Sequence, residues 1–380
     1  LPARERRRRG MTAQAQTSAA AAIERVTVSA YRVPAELPES DGTAAWTSTT
    51  MVLVEIAAAG ARGLGYTYAD AATALLVRDT LAPLLLGRDA LCTGMRWAET
   101  IATIRNLGRP GVCSMAIAAV DNALWDLKAR LYETPLFTLL GAMRTRVPVY
   151  GSGGFTSYSV RQLQEQLFGW VAAGIPRVKM KIGRDPSADL ARVRAAREAI
   201  GPDAELFVDA NGAYARKQAL SFAAQFAQLG VSWFEEPVYH LDFEGLRQVR
   251  DAAPAAMEIA SGEYGYDPSH FAAMVAARAV DVVQADATRC EGISGLLVVD
   301  GLCEANLLPL SAHCAPALHA HPAAALKRLR HLEYFHDHVR IERILFDGVL
   351  EPVSGALEPD ASRPGNGLDL KRADAARYAI

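Results

Sequence analysis

The run RVKMKIG (177–183), followed by ELFVDANG (205–212) and SWFEEP (232–237), decides how the whole chain is read. Each is a short apolar segment of strand length that ends on polar or ionisable residues. Ala-rich amphipathic stretches, ADLARVRAAREAIG and RKQALSFAAQFAQLG, lie between them and have helical character. The same unit recurs outward from this stretch. VPVYGSG (147–153) precedes it, and MEIASGE (257–263), VDVVQAD (280–286), LLPLSAH (307–313) and HLEYF (331–335) follow. Eight strands alternating with helices predict an α/β fold, a TIM-like (β/α)7β barrel over residues 146–348. A doubly wound sheet would carry a Gly-rich phosphate loop after its first strand, and YGSGGFTSYS (150–159) only loosely approximates one.

Upstream of the barrel the pattern changes. RVTVSAYRV (25–33) alternates as a strand and TMVLVEIAAAG (50–60) reads as its hairpin partner, with the polar stretch Glu36 to Ser48 as an interruption. Met115 to Leu131 is predicted helical because Ile117, Val120, Leu124, Leu127 and Leu131 recur at three- and four-residue steps, ending ahead of Thr134-Pro135. Residues 23–145 therefore form an α+β capping domain. The tail 349–380 is too polar for another barrel unit and is expected to return to that domain. Residues 1–22 read as a disordered or non-native tail: LPARERRRRG precedes Met11, and MTAQAQTSAAAA lacks the apolar core of a signal peptide.

A net charge of −2, from Lys+Arg 40 against Asp+Glu 42, gives no field to attract nucleic acid or an anionic membrane. The absence of any apolar run near ~18 residues argues against a membrane span. The expected partner is a small-molecule carboxylate held by a local cluster of charge. Five scattered cysteines without a C-x-x-C pair argue against a disulfide framework or zinc site and fit a reducing cytoplasm. A free cysteine such as Cys314 is expected to be a small apolar filler.

Active sites of parallel barrels lie at the C-terminal strand ends. Here those ends carry Lys179 and Lys181, Asp209 and Asn211, Glu235 and Glu236, Glu263, Asp286, His313 and Glu333. Side chains alternate along a strand, so Val178, Met180 and Ile182 facing the helices leave both lysines facing the barrel axis. The same parity puts Asp209 and Asn211 inside and selects Glu235 over Glu236, which shares a face with Phe234. A mouth so rich in charge is costly unless its charges pair or bind a metal. An ion-pair plug is the bland alternative.

Asp209, Glu235 and Glu263 come from adjacent strands, and hard oxygen ligands converging on one point suit Mg²⁺. Asp286 can hold one nitrogen of His313 and leave the other free for a proton. Two neighbouring lysines repel, and a metal nearby adds to this, which predicts a lowered pKa and a base role for Lys181.

The order K-x-K, DAN, EEP, GE, D, H, E along the strands resembles the enolase superfamily, and within it the mandelate racemase subgroup. DNALWDLKARLYETPLFTLLGA (121–142) resembles the helix and linker joining that family's capping domain to its barrel. The resemblance implies Asp209, Glu235 and Glu263 as Mg²⁺ ligands, with Lys181 as the base on one face of the α-carbon. It implies that Lys179 neutralises the substrate carboxylate and that Glu333 hydrogen-bonds it as it becomes an enediolate. His313, backed by Asp286, would be the acid or base on the other face, and Asn211 a supporting polar group. Many relatives have a glycine pair where this chain has Thr288-Arg289-Cys290-Glu291-Gly292, so the role of Arg289 stays open.

A base on each face allows dehydration of an acid sugar, an aldonic or aldaric acid, to a 2-keto-3-deoxy acid, or racemisation of a 2-hydroxy acid. Dehydration is the commonest activity in the subgroup and ranks first by analogy. A cycloisomerase ranks lower, because its usual relatives carry a second Lys where this chain has Asp286. A catalytically silent barrel ranks last. Specificity is expected in the loops Glu36–Trp46 and Gly65–Ala71, with Trp46 and Tyr66 as walls. In a His-rich run, His319 is the candidate substrate contact and His321 could also reach the substrate, although core or loop positions are the commoner outcome for both, as for His336 and His338. Relatives imply a homo-oligomer, dimer to octamer.

Overall fold

The computed structural model describes residues 21–380. The tail expected over 1–22 therefore lies outside the described residues except for Ala21 and Ala22. These two are tied down: Ala90 N–H donates to Ala21 O at 2.9 Å, and Ala22 bridges Asp89.

Three antiparallel strands open the chain: β1 (Ile23–Ser40), β2 (Ala45–Ala58) and β3 (Ala61–Tyr68). The polar stretch after Glu36 does not interrupt the hairpin but lengthens it. Pairing slips between Pro34/Ser48 and Glu39/Trp46, then resumes. Asp41 Oδ1 accepts the Thr43 and Ala44 N–H groups at 2.7 and 2.6 Å, so its side chain builds the turn. The expected loop Gly65–Ala71 is likewise mostly strand, because β3 continues to Tyr68. The helix Val112–Leu131 begins three residues earlier than its periodicity indicates. It lies on β3 so closely that a Cβ on Gly65 would sit 2.3 Å from Ala123 N. Val54 and Ile56 meet Ile117, Val120, Leu124 and Leu127 there in an apolar core.

Eight parallel strands follow: β4 (Val147–Gly153), β5 (Arg177–Lys181), β6 (Glu205–Asp209), β7 (Val231–Glu235), β8 (Glu258–Ser261), β9 (Val282–Ala285), β10 (Leu310–Ala312) and β11 (Leu329–Phe335). β11 pairs with β4, which closes the barrel. Helices connect each strand to the next, and their starts are chemically marked. Ser159 and Gln162 form a capping box before the helix Val160–Ala172, while Asp185 and Asp267 cap helices that begin with proline. The outward faces bury Val178, Met180, Ile182, Val208 and Phe234 among the helices. The inward faces of the lower barrel bury Tyr150, Phe207, Trp233, Ala260 and Val282. This apolar plug makes the barrel a core and leaves only its upper rim for polar groups.

The C-terminal tail touches both regions. Ala356 and Leu357 pair antiparallel with β4. Asn366 N–H donates to Asp126 Oδ1 at 2.7 Å on the long helix, and Ile380 N–H reaches Ala30 O on β1 at 3.0 Å. No helix among the described residues is long and apolar enough to cross a membrane.

Candidate active site at the barrel mouth

Strand register sets the site. Lys181 pairs across the ladder with Asp209, and Asp209 with Glu235, so three ionisable side chains stand in a row on the inner rim. Glu263 joins them from the loop after β8. Gly262 has φ 135°, and a Cβ there would lie 2.1 Å from Gln284 O, so glycine is what lets this loop press against β9. Carboxylate oxygens of Asp209, Glu235 and Glu263 lie within 4.8 Å of one another, and all three residues are buried.

The lysines enter from β5. Lys179 Nζ donates to both Glu235 oxygens at 2.7 Å and pairs with Glu333 Oε1 at 2.8 Å. Ser152 Oγ and Trp233 Nε1 fix the same two carboxylates at 2.5 and 2.9 Å. Lys181 Nζ contacts Asp209 Oδ2 directly. The expected lowering of the Lys181 pKa counted on a neighbouring metal cation, and Asp209 by itself acts in the opposite direction. Burial is the largest single influence and disfavours the ammonium, but Asp209, Glu263 and Glu235 together outweigh it, and the value moves above the usual lysine range.

Across the mouth, His313 Nδ1 lies 2.8 Å from Asp286 Oδ2. Its Nε2 faces Cys314 Sγ at 3.2 Å, Glu263 Oε2 at 3.1 Å and Glu333 Oε2 at 3.6 Å. Burial opposes the imidazolium, yet Cys314, Glu263, Glu333 and Asp286 raise its pKa well above the usual histidine value. Arg289 Nη1 donates to Glu263 O at 3.0 Å and its guanidinium lies 5.4 Å over the Tyr264 ring.

The carboxylates suit a hard cation. Asp209, Glu235, Glu236, Glu263, Asp286 and Glu333 are six buried carboxylates against three basic side chains, Lys179, Lys181 and Arg289. Burial, reinforced by Asp209, pushes the Glu235 carboxyl up to about 8 despite Lys179. Glu263 Oε2 is buried without a hydrogen-bond partner. An all-oxygen donor set with surplus negative charge fits Mg²⁺ held by Asp209, Glu235 and Glu263.

A cavity of about 390 Å³ opens between this rim and the hairpin sheet, lined by Lys181, Asn211, Glu263, Arg289 and His313 from the barrel side. Trp46, Ser48, Thr49, Thr50, Tyr68 and Asp70 line it from the sheet.

Two expected substrate contacts are not there. Tyr66 is fully buried, its hydroxyl donating to Glu342 Oε1 at 2.6 Å and accepting Leu318 N–H at 3.1 Å. Tyr68, two residues further along the same face of β3, reaches the cavity in its place. His319 is also fully buried. Its Nε2 accepts Ala287 N–H at 2.8 Å and its Nδ1 faces Cys314 O at 2.8 Å, which places it behind Asp286. His321 lies in the core near Phe137, and His336 sits near Glu36 away from the cavity. His338, expected as a core or loop residue, lines the cavity and stacks on Tyr68 at 3.4 Å. Cys314 is more than a filler, since it lines the cavity beside His313. Glu236 also turns inward: its φ of 38° breaks strand alternation and buries its carboxylate near Ser261 Oγ at 3.1 Å.

A closed parallel barrel with this charged rim under an antiparallel cap is the architecture of an enolase-type enzyme. Residues 162–375 match the enolase C-terminal domain-like family, and residues 22–141 match the mandelate racemase / muconate lactonizing enzyme N-terminal domain. The chain belongs to the enolase superfamily, in its mandelate racemase subgroup. A mandelate racemase/muconate lactonizing enzyme-like protein from Rubrobacter xylanophilus is similar at 57% identity and TM-score 0.93, over 94% of this chain and 100% of that one. A 3,6-anhydro-alpha-L-galactonate cycloisomerase of Streptomyces coelicolor is 33% identical over 94% of this chain and 99% of its own. The L-talarate/galactarate dehydratase of Salmonella typhimurium LT2, solved with Mg and L-lyxarohydroxamate, is 29% identical with TM-score 0.88, over 100% of this chain and 97% of its own.

Proposed function

We propose that this protein removes the proton α to a carboxylate with Mg²⁺ at Asp209, Glu235 and Glu263, and that the reaction is dehydration of an acid sugar to a 2-keto-3-deoxy acid. The observation that carries the reading is the placement of Lys181 and His313 on opposite flanks of the triad, both facing one cavity. When bound there, Mg²⁺ supplies positive charge against the charge that develops on the substrate carboxylate. Lys181 takes the α-proton as the free amine, a form that a metal drawing on the charge of Asp209 would favour. Lys179, anchored on Glu235 and Glu333, adds fixed positive charge beneath the same carboxylate. His313, its far nitrogen held by Asp286, delivers a proton to the departing β-hydroxyl. Ser48, Thr49, Thr50, Asn211 and His338 offer hydrogen bonds to a polyol chain, while Trp46 and Phe335 supply a limited apolar wall.

The Streptomyces coelicolor relative favours a second reading, which Asp286 alone argues against. In a cycloisomerisation of an anhydro-sugar acid, the same α-proton removal expels a β-oxygen that stays tethered to the molecule. Both readings predict 2-keto acid products, so the substrate separates them.

The test is incubation with Mg²⁺ and a library of aldonic acids, aldaric acids and anhydro-sugar acids, scoring 2-keto acids by a carbonyl reagent. A product from an open-chain acid supports the dehydratase, and one from anhydro acids alone supports the cycloisomerase. Solvent deuterium at the α-carbon without a keto acid replaces both with a racemase. The absence of both keto acid and α-deuterium with every acid refutes the proposal.

A further inference from the structure

Beside the oxygen triad, the mouth holds a second cluster of different chemistry. His313 Nε2, Cys314 Sγ and Glu333 Oε2 form a triangle with edges of 3.2, 3.5 and 3.6 Å. All three residues are buried, and His313 and Cys314 open onto the cavity. A tetrahedral zinc bonded to N, S and O at ~2.0–2.3 Å needs ligand atoms about 3.3–3.6 Å apart. The three edges already lie near that spacing.

A further feature points to a cation here. Asp286 holds His313 Nδ1 at 2.8 Å, the carboxylate–histidine arrangement that orients the ring and leaves Nε2 as the ligand. Sulfur and imidazole set the preference: thiolate selects borderline and soft metals, whereas Mg²⁺ takes oxygen.

We infer that His313, Cys314 and Glu333 form a site for a thiophilic divalent cation of the Zn²⁺ type, separate from the oxygen triad, whose occupation blocks turnover. On binding, the sulfur and the His313 nitrogen each donate an electron pair to the metal, and the thiol proton leaves to solvent. No electron is transferred. Blockage follows because the metal takes the His313 nitrogen. That consequence rests on the role proposed for His313, whereas binding itself does not.

The experiment uses the full chain saturated with Mg²⁺ and titrated with Co²⁺, whose thiolate charge-transfer absorption reports sulfur ligation. One equivalent is expected to develop this band, Zn²⁺ to remove it and excess Mg²⁺ to leave it. Cys314→Ser should abolish it, and Cys92→Ser, distant from the cavity, should keep it. His313→Asn, which retains the thiol, should weaken Co²⁺ binding by about tenfold or more. No band, a band surviving Cys314→Ser, displacement by Mg²⁺, or unchanged affinity in His313→Asn overturns the inference. A sulfur band in a chain that turns over no acid leaves the metal site standing while the proposed function fails.

Discussion

Asp286 Oδ2 lies 2.8 Å from His313 Nδ1, while Asp286 Oδ1 accepts the Thr288 N–H at 2.6 Å. Both oxygens therefore face donors, and the imidazole proton is held on Nδ1 whenever the ring is neutral. Asp286→Asn offers one acceptor where two are needed, so either the ring or the Thr288 backbone is left opposed by an amide. Keto-acid formation should fall by about 10²-fold or more. Exchange of the α-proton with solvent through Lys181 should persist. Parallel loss of exchange and turnover, followed by NMR in deuterated buffer, contradicts a division of labour between the two faces.

The crowded triad makes a thermodynamic prediction independent of substrate. A ligand that binds the folded chain at 100 times its Kd adds about 2.7 kcal/mol of stability. Saturating Mg²⁺ should raise the melting temperature by a few degrees. Glu263→Gln should stay folded, lose this rise and lose Mg²⁺-dependent activity. An equal rise in the variant, read by calorimetry, removes Glu263 from the metal site.

His338 is placed to read the substrate. Its Nδ1 accepts Ala315 N–H at 3.2 Å, and burial lowers its pKa well below the usual value, so the ring is neutral with its proton on Nε2. His338→Ala should raise KM by about tenfold, the worth of one hydrogen bond at ~1.5 kcal/mol, with a smaller change in kcat. A loss confined to kcat, in steady-state kinetics, excludes a substrate-binding role.

Glu39 couples the hairpin to pH. Burial, then Asp337, raises its carboxyl from 4.5 to about 8, although Trp46 Nε1 donates to it at 2.7 Å. The folded chain then binds a proton that the unfolded chain releases. The Glu39 contribution to stability is therefore retained below pH 4.5 and is lost as pH rises to about 8. Glu39→Gln keeps an acceptor for Trp46 and should flatten this decline, so its melting temperature exceeds the parent's increasingly across that window. Parallel pH profiles contradict this account.

The barrel was legible because each strand carries its own period-two pattern and turns polar at the same end. Asp209, Glu235 and both lysines followed from that alternation. It fails where β7 ends: Glu236 has φ of 38°, so parity no longer decides where its side chain points, whereas Asn211, with φ of 45°, still reaches the cavity. The extension of β1 and β2 was hidden because a strand edging a polar cavity carries polar residues. Tyr66 and Tyr68 share a face, and only the distance of each along β3 from the barrel separates core from wall. His319 and His338 differ in the same way, through packing that brings together residues far apart in sequence.

Every role proposed for the site depends on cleavage of one bond, the α C–H next to a carboxylate. The most direct measurement follows the deuterium of an acid substrate labelled at that carbon, with Mg²⁺ present. Complete loss of the label to solvent with each keto acid formed, slowed relative to unlabelled acid and absent in Lys181→Ala, is the predicted result. Keto acid that retains the label, or that forms equally fast in Lys181→Ala, contradicts it.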